Sequence, residues 1–200
     1  MPHHHPFTIT GFHSCDKEVG LKVLNGNDKL IPSYNSWDWL AGGIYFWEQN
    51  PLRALEYAEE SAEKKQFNKI PINTPFILGA IIELGHCLNL VETGSLMVLH
   101  AAYEGLKKVN EVKGEKMPVN KNDNRAVDCA VIKYIHHSNK QAGHNPFDTI
   151  RCAFPEGEEA YPGSKISSRL HIQICVINAE CIKGYFLPMP LEIYNPRLKK

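Results

Sequence analysis

The sequence predicts an α+β domain in which a β-rich core is interrupted by a helical insertion at about residues 85–148. Three observations carry this. β-forming runs open and close the chain, and helical periodicity dominates the middle. The 200 residues are 43% hydrophobic and 22% charged, values of a globular chain long enough to bury a real core. No internal repeat or low-complexity tract divides it, so residues 1–200 are read as one domain.

In order, Phe7–His13 is rich in β-formers and predicts a strand ending at His13. Residues 18–24 predict a short helix closed by Asn25-Gly26. Residues 27–43 hold Pro, Asn, Ser and Gly with Trp37 and Trp39, the composition of a structured loop. Gly42-Gly43-Ile44-Tyr45-Phe46-Trp47 then joins a glycine turn to an aromatic strand. It is either a buried strand with an aromatic core or a wall for a flat ligand that the glycine backbone approaches closely. Asn50-Pro51 supplies an N-cap and a first helical residue, with Leu52, Leu55, Ala58 and Ala62 at helical spacing behind them.

Pro75–Leu84 predicts a buried strand ended by Gly85. The inserted helices are expected at 95–109, on a face of Leu96, Leu99, Tyr103 and Leu106, and at 124–137, on Val127, Ala130, Val131 and Tyr134. A polar connector, Lys113–Asp123, separates them. Thr149–Phe154 reads as a strand, Pro155–Ser168 as an acidic Gly/Pro-rich loop, and Leu170–Asn178 and Ile182–Leu187 as two more strands.

Composition narrows the function classes. Lys plus Arg and Asp plus Glu both number 22, so no overall field grips nucleic acid, although a local basic groove is compatible with that balance. No run reaches bilayer length and the start lacks a signal-peptide pattern, which predicts a cytoplasmic protein without membrane attachment. The six cysteines show no metal or disulfide spacing and read as reduced core residues. His3, His4 and His5 are metal-binding, tag-derived or simply solvated; no metal is expected.

The candidate chemistry lies in three separated patches. In Leu170-His171-Ile172-Gln173-Ile174-Cys175-Val176 the alternation puts Ile172, Ile174 and Val176 on the core face, and His171, Gln173 and Cys175 on the other. A central Gln there presents its amide to a ligand hydroxyl or is an ordinary exposed position. His13 is equally a structural residue or a ligand contact. Cys152 with His171 forms a possible nucleophile–base pair, without a recognisable motif around the cysteine.

In order, a strand ending in His, a Gly-Gly-Ile-Tyr-Phe strand followed by a helix, and a late strand with a central polar residue resemble the three motifs of the ADP-ribosyltransferase superfamily. The resemblance is to its diphtheria-toxin and poly(ADP-ribose) polymerase branch, and Gly42–Ala58 also resembles small bacterial toxins and phage-defence effectors of that superfamily. It implies a split β-sheet core and an NAD-dependent mono-ADP-ribosyltransferase that cleaves the nicotinamide–ribose bond through an oxocarbenium-like transition state. The implied catalytic residues are His13, Tyr45 and Gln173. His13 contacts the adenosine ribose, the Ser14 backbone holds the nicotinamide amide, Tyr45 stacks on nicotinamide, and Gln173 contacts the ribose hydroxyls. Gly43 and Arg151 complete the implied NAD site, Arg151 on the pyrophosphate. Glu156 and Tyr161 fall in the loop that chooses the acceptor, a protein or nucleic acid; an antitoxin protein is a further expected partner. The family's usual Glu is replaced by Gln173, so no carboxylate stands there. Either the acceptor needs no base, a nearby acid such as Glu156 or Glu48 substitutes, or the protein is a catalytically silent NAD-binding or interaction module.

Overall fold

The structure, a computed structural model, describes residues 8–64, 71–122 and 124–198. The histidines at positions 3–5, Phe7 and Asp123 lie outside the described residues. Strand β1 (Thr8–Asp16) leads into helix α1 (Lys17–Leu24), followed by β2 (Ile44–Glu48), α2 (Pro51–Glu63), β3 (Pro75–Glu83) and β4 (Cys87–Asn89). Helices α3 (Thr93–Lys113) and α4 (Ala126–Gln141) come next, then β5 (Thr149–Glu159), β6 (Ser167–Val176), β7 (Ile182–Phe186) and the short α5 (Leu191–Tyr194). The seven strands form a mixed sheet of order β4-β5-β6-β2-β1-β3-β7. Only the β4–β5 pair among them is parallel.

Local chemistry explains the boundaries. Asp16 ends β1 and caps α1: Oδ1 accepts from Glu18 N at 3.0 Å, and Oδ2 accepts from Asn73 N and Thr74 N at 2.9 Å each. β1 therefore continues three residues past His13, which becomes an interior strand residue rather than a terminal one. Asn50 Oδ1 accepts from Arg53 N at 3.0 Å and Pro51 begins α2, as the Asn-Pro pair predicts. Gly85, at φ +59°, turns the chain out of β3.

Both faces of the sheet are covered. On the first, Phe46, Phe76, Leu78, Ile82, Ile174 and Val176 pack with Val23 of α1 and with Leu30. Phe46 and Phe76 are almost fully buried, each worth about 1.5–3 kcal/mol of apolar transfer. The second face carries two clusters. Phe12, Trp47 and Ile77 pack on Ala54, Leu55 and Ala58 of α2. Ile150, Phe154 and Cys175 pack on Leu40 and on Cys129, Ile132 and Ile135 of α4.

Several expectations change. The Pro155–Ser168 loop is mostly strand: β5 and β6 run on as a long hairpin whose connection is only residues 160–166. Cross-strand pairing with Ser167 and Arg169 overrides the local Gly/Pro/Glu composition. On α2, Leu52 is exposed while Arg53 is buried, because the face toward the sheet runs through Arg53, Ala54, Leu55, Ala58 and Ser61. The buried stripe of α4 is Cys129, Val131, Ile132 and Ile135, so of the expected stripe only Val131 is buried. On α3, Leu96 and Tyr103 are exposed, since that helix packs mainly on α4. The stretch between β3 and β5 also contributes β4 to the sheet edge and, through α4, a cover for the second face.

Candidate functional site

The central feature is a divergence between β1 and β2. These strands pair only at Gly11↔Glu48 and Phe12↔Trp47. Beyond that, His13–Asp16 pair with β3 alone, and Ile44–Phe46 with β6 alone. The sheet thus splits at its centre. His13 spans the split: its Nδ1 donates to the Tyr45 carbonyl oxygen at 2.8 Å. A carbonyl only accepts, so Nδ1 carries the proton and Nε2 is the unprotonated acceptor of a neutral ring. Burial lowers the His13 pKa and keeps that neutral form, partly offset by the bond to Tyr45.

Ser14 follows on the same lip. Its β3 partner, Ile77, bonds instead to the side chain of Asn195, N to Oδ1 at 2.8 Å and O from Nδ2 at 3.0 Å. Ile77 and Ser14 are therefore a non-hydrogen-bonded pair, and the Ser14 N–H and C=O point away from β3, into the split. The Ser14 hydroxyl donates to the Ala54 carbonyl, fastening α2 to this lip.

Across the split, Tyr45 and Trp47 of β2 share the second face with Gln173 and Cys175 of β6, in register Tyr45↔Cys175 and Trp47↔Gln173. Tyr45 and Gln173 are diagonal neighbours on one face, at most about 8 Å apart at the backbone. The Tyr45 hydroxyl donates to Ala41 O at 2.7 Å and accepts from Leu40 N at 2.9 Å, so the ring is held by the 40–41 loop. Burial pushes its pKa up. Gln173 is only 9% exposed, which removes the alternative of an ordinary exposed position. Its amide makes no side-chain hydrogen bond to the described residues. His13, Tyr45 and Gln173 thus lie on three adjacent strands, β1, β2 and β6.

Other expected site residues are placed differently. The Cβ position of Gly43 is filled by β6: an added methyl would sit 2.4 Å from Cys175 Sγ and 2.7 Å from Val176 O. Its N–H and C=O are bonded to Ser33 at 2.9 and 2.8 Å. Glycine is required there for strand packing, and its backbone groups are already used. Arg151 belongs to the first face, opposite Tyr45 and Gln173, since it pairs with Ile174. It forks onto Glu48, Nε at 2.6 Å and Nη2 at 2.9 Å, with Nη1 3.2 Å from Asn89 Oδ1. That pairing occupies both the arginine expected on pyrophosphate and Glu48, one of the two candidate substitute acids. Glu156 is on β5 rather than in a loop, and its Oε2 lies 2.9 Å from Arg53 Nη2. Tyr161 stands exposed at the hairpin connection.

The Cys152–His171 pair lacks the features of a nucleophile. Burial pushes the Cys152 thiol up to about 11, and its Sγ contacts the Ala153 carbonyl. Among the described residues no group of three or more His, Cys, Asp or Glu side chains is arranged to hold a metal ion. No helix of the described residues is long and apolar enough to cross a membrane.

The sequence reading missed Arg53 and Tyr57, which line the α2 side of this face. Tyr57 packs on Trp47 at 5.0 Å between ring centroids. The signal was present as the i, i+4, i+8 row Arg53–Tyr57–Ser61, masked by the more obvious apolar spacing from Leu52.

In comparison with known proteins, no family model matches the chain and no solved structure matches it. An uncharacterized protein of the archaeon Methanocaldococcus jannaschii is 25% identical over 193 residues, covering 88% of this chain and 85% of that protein. The similarity therefore runs through almost the whole of both chains.

Proposed function

We propose that this protein is an NAD-dependent mono-ADP-ribosyltransferase acting as a toxin or defence effector, with the split between β1 and β2 as its NAD site. The observation that carries this reading is the set of polar groups that face the split. The Ser14 N–H and C=O project there together, a donor and acceptor suited to a carboxamide. His13 Nε2 offers an acceptor to a ribose hydroxyl. On the second face, opposite the His13 ring that packs on Phe46, the Gln173 amide stands beside Trp47 and diagonal to Tyr45.

The work asked of such a site is mainly positioning: the nicotinamide ribose is held while its C1′–N bond opens toward an oxocarbenium ion. A neutral Gln173 orients a ribose hydroxyl without stabilising the cation by charge. The acceptor is a macromolecule, protein or nucleic acid.

The test is incubation of the purified protein with labelled NAD, alone and with a cell lysate, following nicotinamide release and transfer of label. Release and transfer that fall in both His13→Ala and Gln173→Ala support the proposal. A wild-type protein that neither releases nicotinamide nor transfers label defeats it. The missing charge at Gln173 favours one other reading, a catalytically silent NAD-binding module, which predicts NAD binding by calorimetry without nicotinamide release.

A further inference from the structure

On the face that carries Tyr45 and Gln173, a second group of polar side chains is buried with valences unused. Among the described residues, Trp47 Nε1, Arg53 Nε and Nη1, and His171 Nε2 have no hydrogen-bond partner. The three residues are 4%, 6% and 4% exposed. They form one cluster: the Trp47 and His171 rings are 6.5 Å apart, and Glu156 Oε2 lies 2.9 Å from Arg53 Nη2 and 3.5 Å from His171 Nδ1. Buried polar atoms without partners are uncommon and call for an explanation, often a group that binds there.

The chemistry of the vacancies is specific. His171 Nδ1 donates to the Arg169 carbonyl at 2.8 Å, so Nε2 is the unprotonated nitrogen and a free acceptor. Trp47 Nε1 is a donor only. A donor and an acceptor left open on two rings whose centroids are 6.5 Å apart are the complement of a hydroxyl, whose oxygen accepts and whose hydrogen is donated. His171 also precedes Gln173 by two residues on the same strand face, about 7 Å along β6.

We propose that His171 Nε2 is the general base of the transfer reaction and that it serves a hydroxyl nucleophile, an alcohol or water, whose oxygen is held by Trp47 Nε1. This rests on the transferase reading above and supplies the base that Gln173 cannot be. In the step, the hydroxyl proton passes to Nε2 and the oxygen lone pair forms a bond to ribose C1′. The C1′–N bond breaks, and its electron pair leaves with nicotinamide as the neutral amide. Glu156 faces the resulting imidazolium from the Nδ1 side, and Arg53 holds that carboxylate in place.

Burial lowers the His171 pKa, and Arg53 adds to this, while the Arg169 carbonyl and Glu156 oppose it. The base is thus unprotonated at neutral pH. Cys152 stands diagonal to His171 across the β5–β6 pair, and Tyr57 of α2 packs on Trp47.

The experiment measures nicotinamide release from NAD against pH, in water and with methanol added as a small alcohol, for wild type, His171→Gln and His171→Ala. The expected results are a fall of kcat on the acid side of the wild-type profile, roughly 100-fold or greater loss of kcat in His171→Gln with KM for NAD little changed, and partial rescue of His171→Ala by imidazole. Methanol should yield methyl ADP-ribose in the wild type. The inference is overturned if His171→Gln keeps kcat and the acid limb, or if its loss comes only through KM or thermal stability with no imidazole rescue. A wild type that releases no nicotinamide overturns the transferase reading itself, so the two failures are distinguishable.

Discussion

Gly43→Ala separates two roles for the glycine that opens β2. A Cβ there would lie 2.4 Å from Cys175 Sγ and 2.7 Å from Val176 O. Ordinary contacts between such atoms need about 3.5–4.0 Å, so the start of β2 must move by about 1 Å from β6. The sulfur can rotate aside, but the Val176 carbonyl is backbone and is part of the strand. Overpacking of this kind costs about 1–3 kcal/mol. In a chain of this size each kcal/mol lowers Tm by about 2–4 °C, giving a fall of roughly 2–12 °C. The Ser33–Gly43 bridge, with hydrogen bonds of 2.8 and 2.9 Å, shifts with the strand and should exchange faster by hydrogen exchange. Gly42→Ala is the control: the nearest atoms to its Cβ belong to the Tyr34 ring, with Ser33 O next at 3.3 Å, and Tyr34, 72% exposed, has room to swing aside. The assay is thermal unfolding by circular dichroism, beside NAD binding. If Gly43→Ala melts with the wild type and weakens NAD binding instead, the packing argument is refuted and close approach of a ligand to this backbone takes its place.

Three further outcomes are expected. Tyr45→Phe removes the bonds to Leu40 N and Ala41 O, costing about 1–2 kcal/mol and loosening the 40–41 loop; urea unfolding and hydrogen exchange of Leu40 check it. Arg53→Met strands Glu156, whose side chain is 23% exposed, and should cost about 3 kcal/mol, whereas Arg53→Met with Glu156→Met recovers most of that by urea midpoint. His13, His136 and His171 are all held below their ordinary 6.5 by burial, so below that pH the unfolded chain binds more protons than the folded one. Stability therefore falls as pH drops through 6.5 toward the lower folded values, and His136→Phe should flatten the decline of Tm with pH.

Much of the fold was legible because its signals are local. Asn50 caps and Pro51 starts α2 through contacts within three residues. Asn25 closes α1 by bonding Leu21 O at 2.8 Å. Alternation on β6 put Ile174 and Val176 on the core face, where both are buried, and left Cys175 on a face toward solvent, a cleft or another layer; the structure buries it in the second cluster. The hairpin departs from its composition: Pro155 and Gly157 predict a loop, yet Pro155 pairs with Leu170 and Glu156 with Arg169, while Gly157, at φ +80°, falls in the irregularity of the ladder between Glu156 and Glu159.

By itself, then, the sequence determined which segments are helix or strand over most of the chain, which side of β6 carries Ile174 and Val176 into the core, and the three patches that carry His13, Tyr45 and Gln173. Only the tertiary structure decided that these patches lie on adjacent strands and that the sheet splits between His13 and Tyr45. It also decided that Arg151 is committed to Glu48 and Arg53 to Glu156, each pair 103 residues apart. Caps and periodicity depend on neighbours within about four residues, which any window of sequence contains. Register, burial of a charge and the partner of an arginine depend on which strands meet, and that is set by packing of the whole chain.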